Sequence, residues 1–176
     1  IAVDNANLLR ETQAAHRQAQ RLQTITDSAL SHLDLDALLD TLLPRLKEIL
    51  EADVASVLLS DDAGYLEARS AIGLEREVEQ HVRIKIGEGG RGQVAVADGP
   101  VAYADLDPAE LASPVFRSSG VRSMLGAPLR VSGETLGVVH VGTYERREFT
   151  DEDMSLIGLA ADRVALAVSH AAAFPA

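Results

Sequence analysis

The chain has 176 residues, 47% of them apolar, and no cysteine, which excludes a disulfide framework, a thiolate nucleophile, a Cys-ligated zinc and a thioether-linked chromophore. Its formal charge of −11, from 27 acidic and 16 basic residues, repels phosphate backbones and anionic lipid, and six aromatics offer little for stacking on bases, so neither nucleic acid nor a membrane surface is an expected partner. No apolar run reaches the roughly 18 to 20 residues that span a bilayer, and the opening IAVDNANLLRE lacks a basic then apolar leader pattern, so the expectation is one domain plus extra helix, placed in the cytoplasm.

From Ile1 to about Asp34 there is no Pro or Gly, and Ile1, Leu8, Ala15, Leu22 and Ala29 recur every seven residues between polar stretches such as RETQAAHRQAQR. This predicts a long helix with a thin dimer seam. Asn5, Thr12, Ala19 and Thr26 between them are small or polar, so the coiled coil is a weak one. A second helix, Leu35 to Leu50, sets Leu38, Leu39, Leu42, Leu43, Leu46, Ile49 and Leu50 on one wide apolar face, with Pro44 expected to bend or tighten it.

Strands come next. DVASVLLS (Asp53 to Ser60), the turn signal Asp61-Asp62-Ala63-Gly64 and the alternating YLEARSA (Tyr65 to Ala71) predict a hairpin. A charged segment, Leu74 to His81, leads to a strand at Val82 to Ile86, and its Glu75-Arg-Glu-Val-Glu79 reads as a solvated face. A short helix over about Gly89 to Ala97 stops at Asp98-Gly99-Pro100, Val101 to Tyr103 forms a brief strand, and Asp105 to Gly120 is irregular with at most one helical turn. Arg122 to Val131 and Thr135 to Thr143 flank Ser132-Gly133-Glu134 as a hairpin. A final helix runs from Thr150 to about Phe174, capped by Thr150 and opened by Asp151, Glu152 and Asp153. The expected architecture is α+β: a central antiparallel sheet of five or six strands with the N- and C-terminal helices packed on one face.

IGEGGRGQVAVAD contains a GxGxxG at Gly87, Gly89 and Gly92. A dinucleotide fingerprint opens a βαβ unit of about 30 residues with a full crossover helix. Here Val82 to Tyr103 spans 22 residues, the helix has barely two turns, and Glu88 puts a carboxylate in the would-be phosphate cradle. The glycines are therefore read as geometry, supplying positive φ and a tight strand-to-helix turn.

The order LDLDALLDTLLPRLKEIL, DVASVLLSDD, IGEGGRGQVAVADGPVAYADL, VRSMLGAPLRVSGETLGVVHVG and FTDEDMSLIGLAADRVALAV resembles a GAF domain over about Leu33 to Ala172. The resemblance implies a GAF/PAS-like fold for residues 33–176 behind a linker or signalling helix at 1–32. It also implies that IGEG-like turns lead from the third strand into a short helix without binding phosphate. Ala2 to Leu9 is similar to Ala167 to Phe174, as if residues up to about 30 were the tail of an upstream sensory domain. The chain starts at Ile1 and stops inside a helical pattern, so it is read as a segment of a longer signalling protein, and its two lysines against fourteen arginines suit a GC-rich bacterial genome.

GAF domains hold a small ligand between the sheet and the loops crossing one face, so the resemblance makes Ser56, Leu58, Tyr103, Val115, Phe116, Ser123, Leu125 and His140 candidate ligand contacts; ordinary core packing is the competing account for the apolar ones. Bilin needs a cysteine, cyclic nucleotide an NKFDE-like motif, and neither is present. Haem needs a histidine ligand, and His140 in GVVHVG, the single histidine in a core strand, is read as hydrogen-bonded structure. No cofactor and no metal is therefore expected. Catalytic residues are not expected either: Asp151, Glu152 and Asp153 fan outward in a first helical turn, and Ser118 and Ser119 have no triad partners in sight. Two readings remain open. One is a non-catalytic sensory module that dimerises through its terminal helices and signals to a downstream histidine kinase or PP2C-type (SpoIIE-like) serine phosphatase. The other is a structural dimerisation spacer with a closed core and no ligand.

Overall fold

Alternation along three long strands divides their apolar side chains into two sets, and each set needs its own cover. The computed structural model describes residues 35–173, so the helix expected over 1–34 and its seam of Ile1, Leu8, Ala15, Leu22 and Ala29 lie outside the described residues. Within them, α1 covers 35–49. β1 (Val54–Ser60) and β2 (Tyr65–Ile72) follow, then α2 (Glu75–Glu79), β3 (Arg83–Lys85) and α3 (Gly89–Ala95). β4 (Val101–Tyr103), a 3-10 turn (Pro108–Glu110), α4 (Pro114–Ser118), β5 (Ser123–Val131), β6 (Glu134–Thr143) and α5 (Asp151–Ala173) complete the chain. The strands form a six-stranded sheet in the order β3-β2-β1-β6-β5-β4, antiparallel throughout.

On one face Ala55 and Val57 of β1, Leu125, Ala127 and Leu129 of β5, and Val139 and Val141 of β6 point at the terminal helices. α1 meets them with Leu35, Leu39, Leu43 and Leu46, and α5 with Ile157, Ala161, Val164 and Val168. The apolar face of α1 is narrower than its leucine content predicts. Leu38 and Leu42 are half-buried, and Ile49 is 61% exposed because Leu46 and Leu50 already fill the contact with the sheet. The helix runs on through Pro44, which is itself exposed.

On the other face Val54, Leu58, Leu66, Ile84, Met124 and Val138 are roofed by Leu74, Val94, Leu106, Leu111 and Phe116, which come from the short helices and the segments between them. The turns that shape both layers follow their local chemistry. Asp61 Oδ1 accepts from the Ala63 and Tyr65 N–H groups at 2.9 and 3.0 Å in the first hairpin. Ser132 and Gly133 take φ of 52° and 80° in the two-residue turn of the second, the pair of positive values that matches strand twist. α5 begins in a reciprocal cap: Asp153 N–H donates to Thr150 Oγ1 at 3.1 Å and Thr150 N–H to Asp153 Oδ2 at 2.9 Å. α5 is long and apolar enough, by length and composition, to cross a membrane; its Ile157, Ala161, Val164 and Val168 pack on the sheet, while Leu159 and Leu166 are exposed.

The glycine motif is resolved by topology and by space. β3 and β4 lie at opposite edges of the sheet, so no parallel crossover exists for a dinucleotide to straddle. Gly87 and Gly89 hold φ of 92° and 65°, and the Gly87 N–H donates to Gly92 O at 2.9 Å, so the loop closes on itself. A Cβ on Gly92 would stand 2.7 Å from Lys85 O, which is why α3 can press so closely on the end of β3.

Candidate functional site

Three short helices meet over the centre of the sheet, and each contributes a polar side chain to a place where hydrocarbon would be the default. Leu74, Glu77 and Val78 share one face of α2 by their spacing, and that face turns inward. Glu77, read from the sequence as part of a solvated surface, has a fully buried side chain. The flanking Glu75 and Glu79 are exposed, as expected. α3 supplies Arg91, whose side chain is 2% exposed. The cap of α4 is Ser113.

These groups satisfy one another closely. Arg91 donates from Nη1 to Glu77 Oε2 at 2.6 Å and from Nη2 to Oε1 at 2.8 Å, the paired geometry of a guanidinium on a carboxylate. Ser113 Oγ donates to Glu77 Oε1 at 2.5 Å while accepting from the Phe116 N–H at 3.2 Å, so one hydroxyl caps α4 and finishes the carboxylate. The guanidinium lies over the Phe116 ring, 4.3 Å from its centroid, and that ring meets His140 edge-on at 5.6 Å.

His140 rises from β6 beneath this cluster, fully buried, with Nε2 3.4 Å from Arg91 Nη1. Burial, and then the Arg91 charge, hold its pKa well below the ordinary 6.5, so the ring is neutral. A guanidinium can only donate, so Nε2 accepts and the proton sits on Nδ1. Among the described residues that Nδ1 has no hydrogen-bond partner, and neither does the Oγ of Ser56, the residue paired with His140 across β1 and β6. Two buried polar atoms without partners, side by side under an ion pair, are uncommon in a core that serves packing alone.

The site is closed. The void beside Arg91, bounded by Ile84, Gly90, Leu111 and Phe116 among others, measures about 10 Å³, barely the room of a single water. Among the described residues no group of three or more His, Asp or Glu is placed to hold a metal.

The candidates chosen from sequence divide by strand parity and by loop position. Ser56, Leu58, Phe116 and His140 all stand on this face. Val115 is half-buried beside Phe116. Tyr103 lies apart from the ion pair, in a cleft of about 370 Å³ with Gly90, Asp105, Asp107 and Glu110, its hydroxyl donating to Gly90 O at 3.4 Å. Leu125 does not belong with them: it is on the opposite face, in the core under α1 and α5, and Met124 and Gly126 hold the site face of β5 instead. Ser123, of the same parity as Leu125, is committed to structure, donating to Ala104 O at 2.6 Å and accepting from the Arg147 N–H at 2.7 Å. Glu77, Arg91 and Ser113 escaped the sequence reading. The available signals were the apolar spacing of Leu74, Glu77 and Val78, and the standing of Arg91 as the one basic residue between Lys85 and Arg117.

Comparison with known proteins agrees with this fold. The family model described as GAF domain matches residues 34–168. The Nif-specific regulatory protein of Herbaspirillum seropedicae is 37% identical over 116 residues, 63% of this chain and 21% of that protein, so the chain spans about a fifth of that relative's length. Among solved structures, the GAF domain of a phosphoenolpyruvate-protein phosphotransferase from Coxiella burnetii is similar with a TM-score of 0.69 and 28% identity, over 85% of this chain and 95% of that one. GAF-B of DevS from Mycobacterium smegmatis shares the fold, with a TM-score of 0.63 and 20% identity, over 79% and 96%.

Two expected outcomes follow from the buried pair and from His140. Arg91→Met strands a buried carboxylate and Glu77→Leu strands a buried guanidinium, so each is expected to cost about 3 to 5 kcal/mol in urea unfolding. The double variant, which removes both charges, is expected to cost far less than the sum; additive losses would show that the pair acts as two independent groups. The second outcome concerns pH. An unfolded chain protonates His140 near its ordinary 6.5 while the folded chain does not, so protonation favours unfolding. The stability this group contributes is complete above 6.5 and falls as pH drops below it, by up to about 1.4 kcal/mol per pH unit. His140→Gln is expected to flatten the stability–pH curve between pH 6.5 and 5 relative to the wild type, and an unchanged slope would contradict a neutral His140.

Proposed function

The chain belongs to the GAF domain family, regulatory sensory domains of signalling proteins, and on that premise we propose that it is a non-catalytic sensor taking a small ligand where Glu77, Arg91, Ser113 and His140 meet. The observation that carries this reading is the buried polar set itself. A buried ion pair is on balance no better for stability than well-packed hydrocarbon, so a pure spacer gains nothing from building one and from leaving Ser56 and His140 incompletely satisfied beneath it. Bilin, haem, cyclic nucleotide and metal play no part in the proposal.

A route from this site to the terminal helices lies in the sheet. Ser56 and His140 face the site, while their strand neighbours Ala55, Val57, Val139 and Val141 pack against α1 and α5. A change on one face of β1 and β6 therefore acts on Ile157, Val164 and Val168 through one strand's thickness. On its outer side α5 leaves Leu159 and Leu166, seven residues apart, 68% and 66% exposed, and α1 leaves Ile49. In the proposed homodimer these residues meet their equivalents in a second copy, continuing the seam expected over residues 1–32. The output is a downstream domain, a histidine kinase or serine phosphatase, of a cytoplasmic bacterial signalling protein. The likeness to a Nif-specific regulatory protein supports a regulatory setting.

The second reading, a closed spacer, is favoured by one observation: the void of about 10 Å³ admits no ligand until something moves. A thermal-shift screen of single metabolites spanning carboxylates, phosphates, amines and sugars separates the two. The sensor is expected to gain Tm with at least one class, with the gain abolished in Arg91→Met, and a flat response across the panel supports the spacer. For the seam, sizing on dilution is expected to show a dimer that Leu159→Glu with Leu166→Glu converts to monomer, and a double variant that stays dimeric would remove α5 from the interface.

A further inference from the structure

Nothing can be added to the polar site, so whatever enters must replace something already there. Arg91 presents two N–H donors to a carboxylate in a fork, Ser113 presents a hydroxyl, and the Phe116 ring closes one side. This is a complete, preorganised recognition set for one carboxylate group, and its present occupant is the chain's own Glu77. The other groups around the set are poor candidates to leave. Phe116 and Arg91 anchor two helices, Ser113 caps α4, and His140 is fixed in a central strand. Glu77 comes from α2, five residues long with no side-chain cap at its N-terminus. Beneath it, His140 Nδ1 and Ser56 Oγ are buried polar atoms without a hydrogen-bond partner among the described residues.

We propose that Glu77 is an internal stand-in for a small carboxylate ligand, and that such a ligand binds by taking Glu77's place on Arg91 and Ser113. The exchange puts one carboxylate where another was, so Arg91 is never left as an unpaired buried charge, and the displaced Glu77 regains water. A ligand bearing a second polar group can in addition pair the Nδ1 hydrogen or the Ser56 hydroxyl, which Glu77 leaves unpaired. That surplus is what lets a free acid compete with an occupant already tethered at high effective concentration. Release of Glu77 also frees α2 from α3 and α4, which links occupancy to the shape of this face. The inference rests on the sensory reading above and names its ligand class.

The test empties the site. In the 176-residue chain carrying Glu77→Ala, sodium acetate and sodium propionate are expected to raise Tm saturably, by about 5 °C or more at a hundredfold excess over Kd, against sodium chloride of equal ionic strength. The gain is expected to vanish when Arg91→Met is added. In the wild type, amide NMR titration with acetate and succinate is expected to shift the signals of Glu77, Arg91, Ser113 and His140, with acetate weaker than in Glu77→Ala by at least about tenfold because Glu77 competes. The wild-type arm stands even where Glu77→Ala does not fold. Acetate acting no better than chloride on Glu77→Ala, no carboxylate shift in the wild type, or sulfate and phosphate matching the carboxylates would each overturn the proposal. Amines or sugars shifting these same signals while carboxylates do not would overturn the carboxylate class and leave the sensory reading standing. Silence from every class would end both.

Discussion

One buried ion pair organises half of this domain. Arg91 and Glu77 come from α3 and α2, Ser113 at the head of α4 completes the carboxylate, and no other polar contact joins all three short helices above the sheet among the described residues. The pair dictates features that look unrelated. Arg91 reaches Glu77 only because α3 lies hard against the end of β3, and α3 can lie there only because residue 92 has no Cβ to strike Lys85 O. The glycine motif that spells a nucleotide fingerprint thus serves a different end, the delivery of an arginine to a closed core.

The cost of that arrangement is paid in specificity of shape. Two charges out of water need every hydrogen bond they can make, and Glu77 accepts three while Arg91 also lies on an aromatic face. The opposite face of the same sheet carries a continuous hydrocarbon cluster that runs from Leu35 to Ala171, with Ser123 and Thr143 as buried polar residues at one end of β5 and β6. An apolar core against the terminal helices and a polar arrangement against the short helices is a division that suits the proposed sensor. The central strands β1 and β6 belong to both layers, and their alternation makes any displacement of Ser56 or His140 felt by Val57 and Val139.

Most of the scaffold was legible in the sequence because it follows from local periodicity. The alternation of YLEARSA, the leucines of LDALLDTLLPRLKEIL and the Thr150–Asp153 cap each specify an element without help from the rest of the chain. Membership of the polar face was legible at Ser56, Leu58 and His140 in the central strands and at Phe116 in α4. It failed at Leu125, because parity in β5 depends on pairing with β6 and not on β5 alone. It failed more deeply at Glu77, since a glutamate in a charged run is ordinarily solvated and its burial is decided by an arginine fourteen residues away. Long-range charge pairing leaves little trace in one sequence.

In the proposed sensor Arg91 is the receptor group and not a rivet in a spacer. The Nε–H signal of Arg91 in nitrogen-15 NMR spectra, followed while single metabolites of each charge class are added, reports on it most directly. A receptor role for Arg91 predicts that at least one metabolite moves this signal, and that the backbone signals of Val57, Val139 and Val164 move with it at the same midpoint. An Arg91 signal that stays fixed against every class, or one that moves while β1, β6 and α5 remain still, would contradict it.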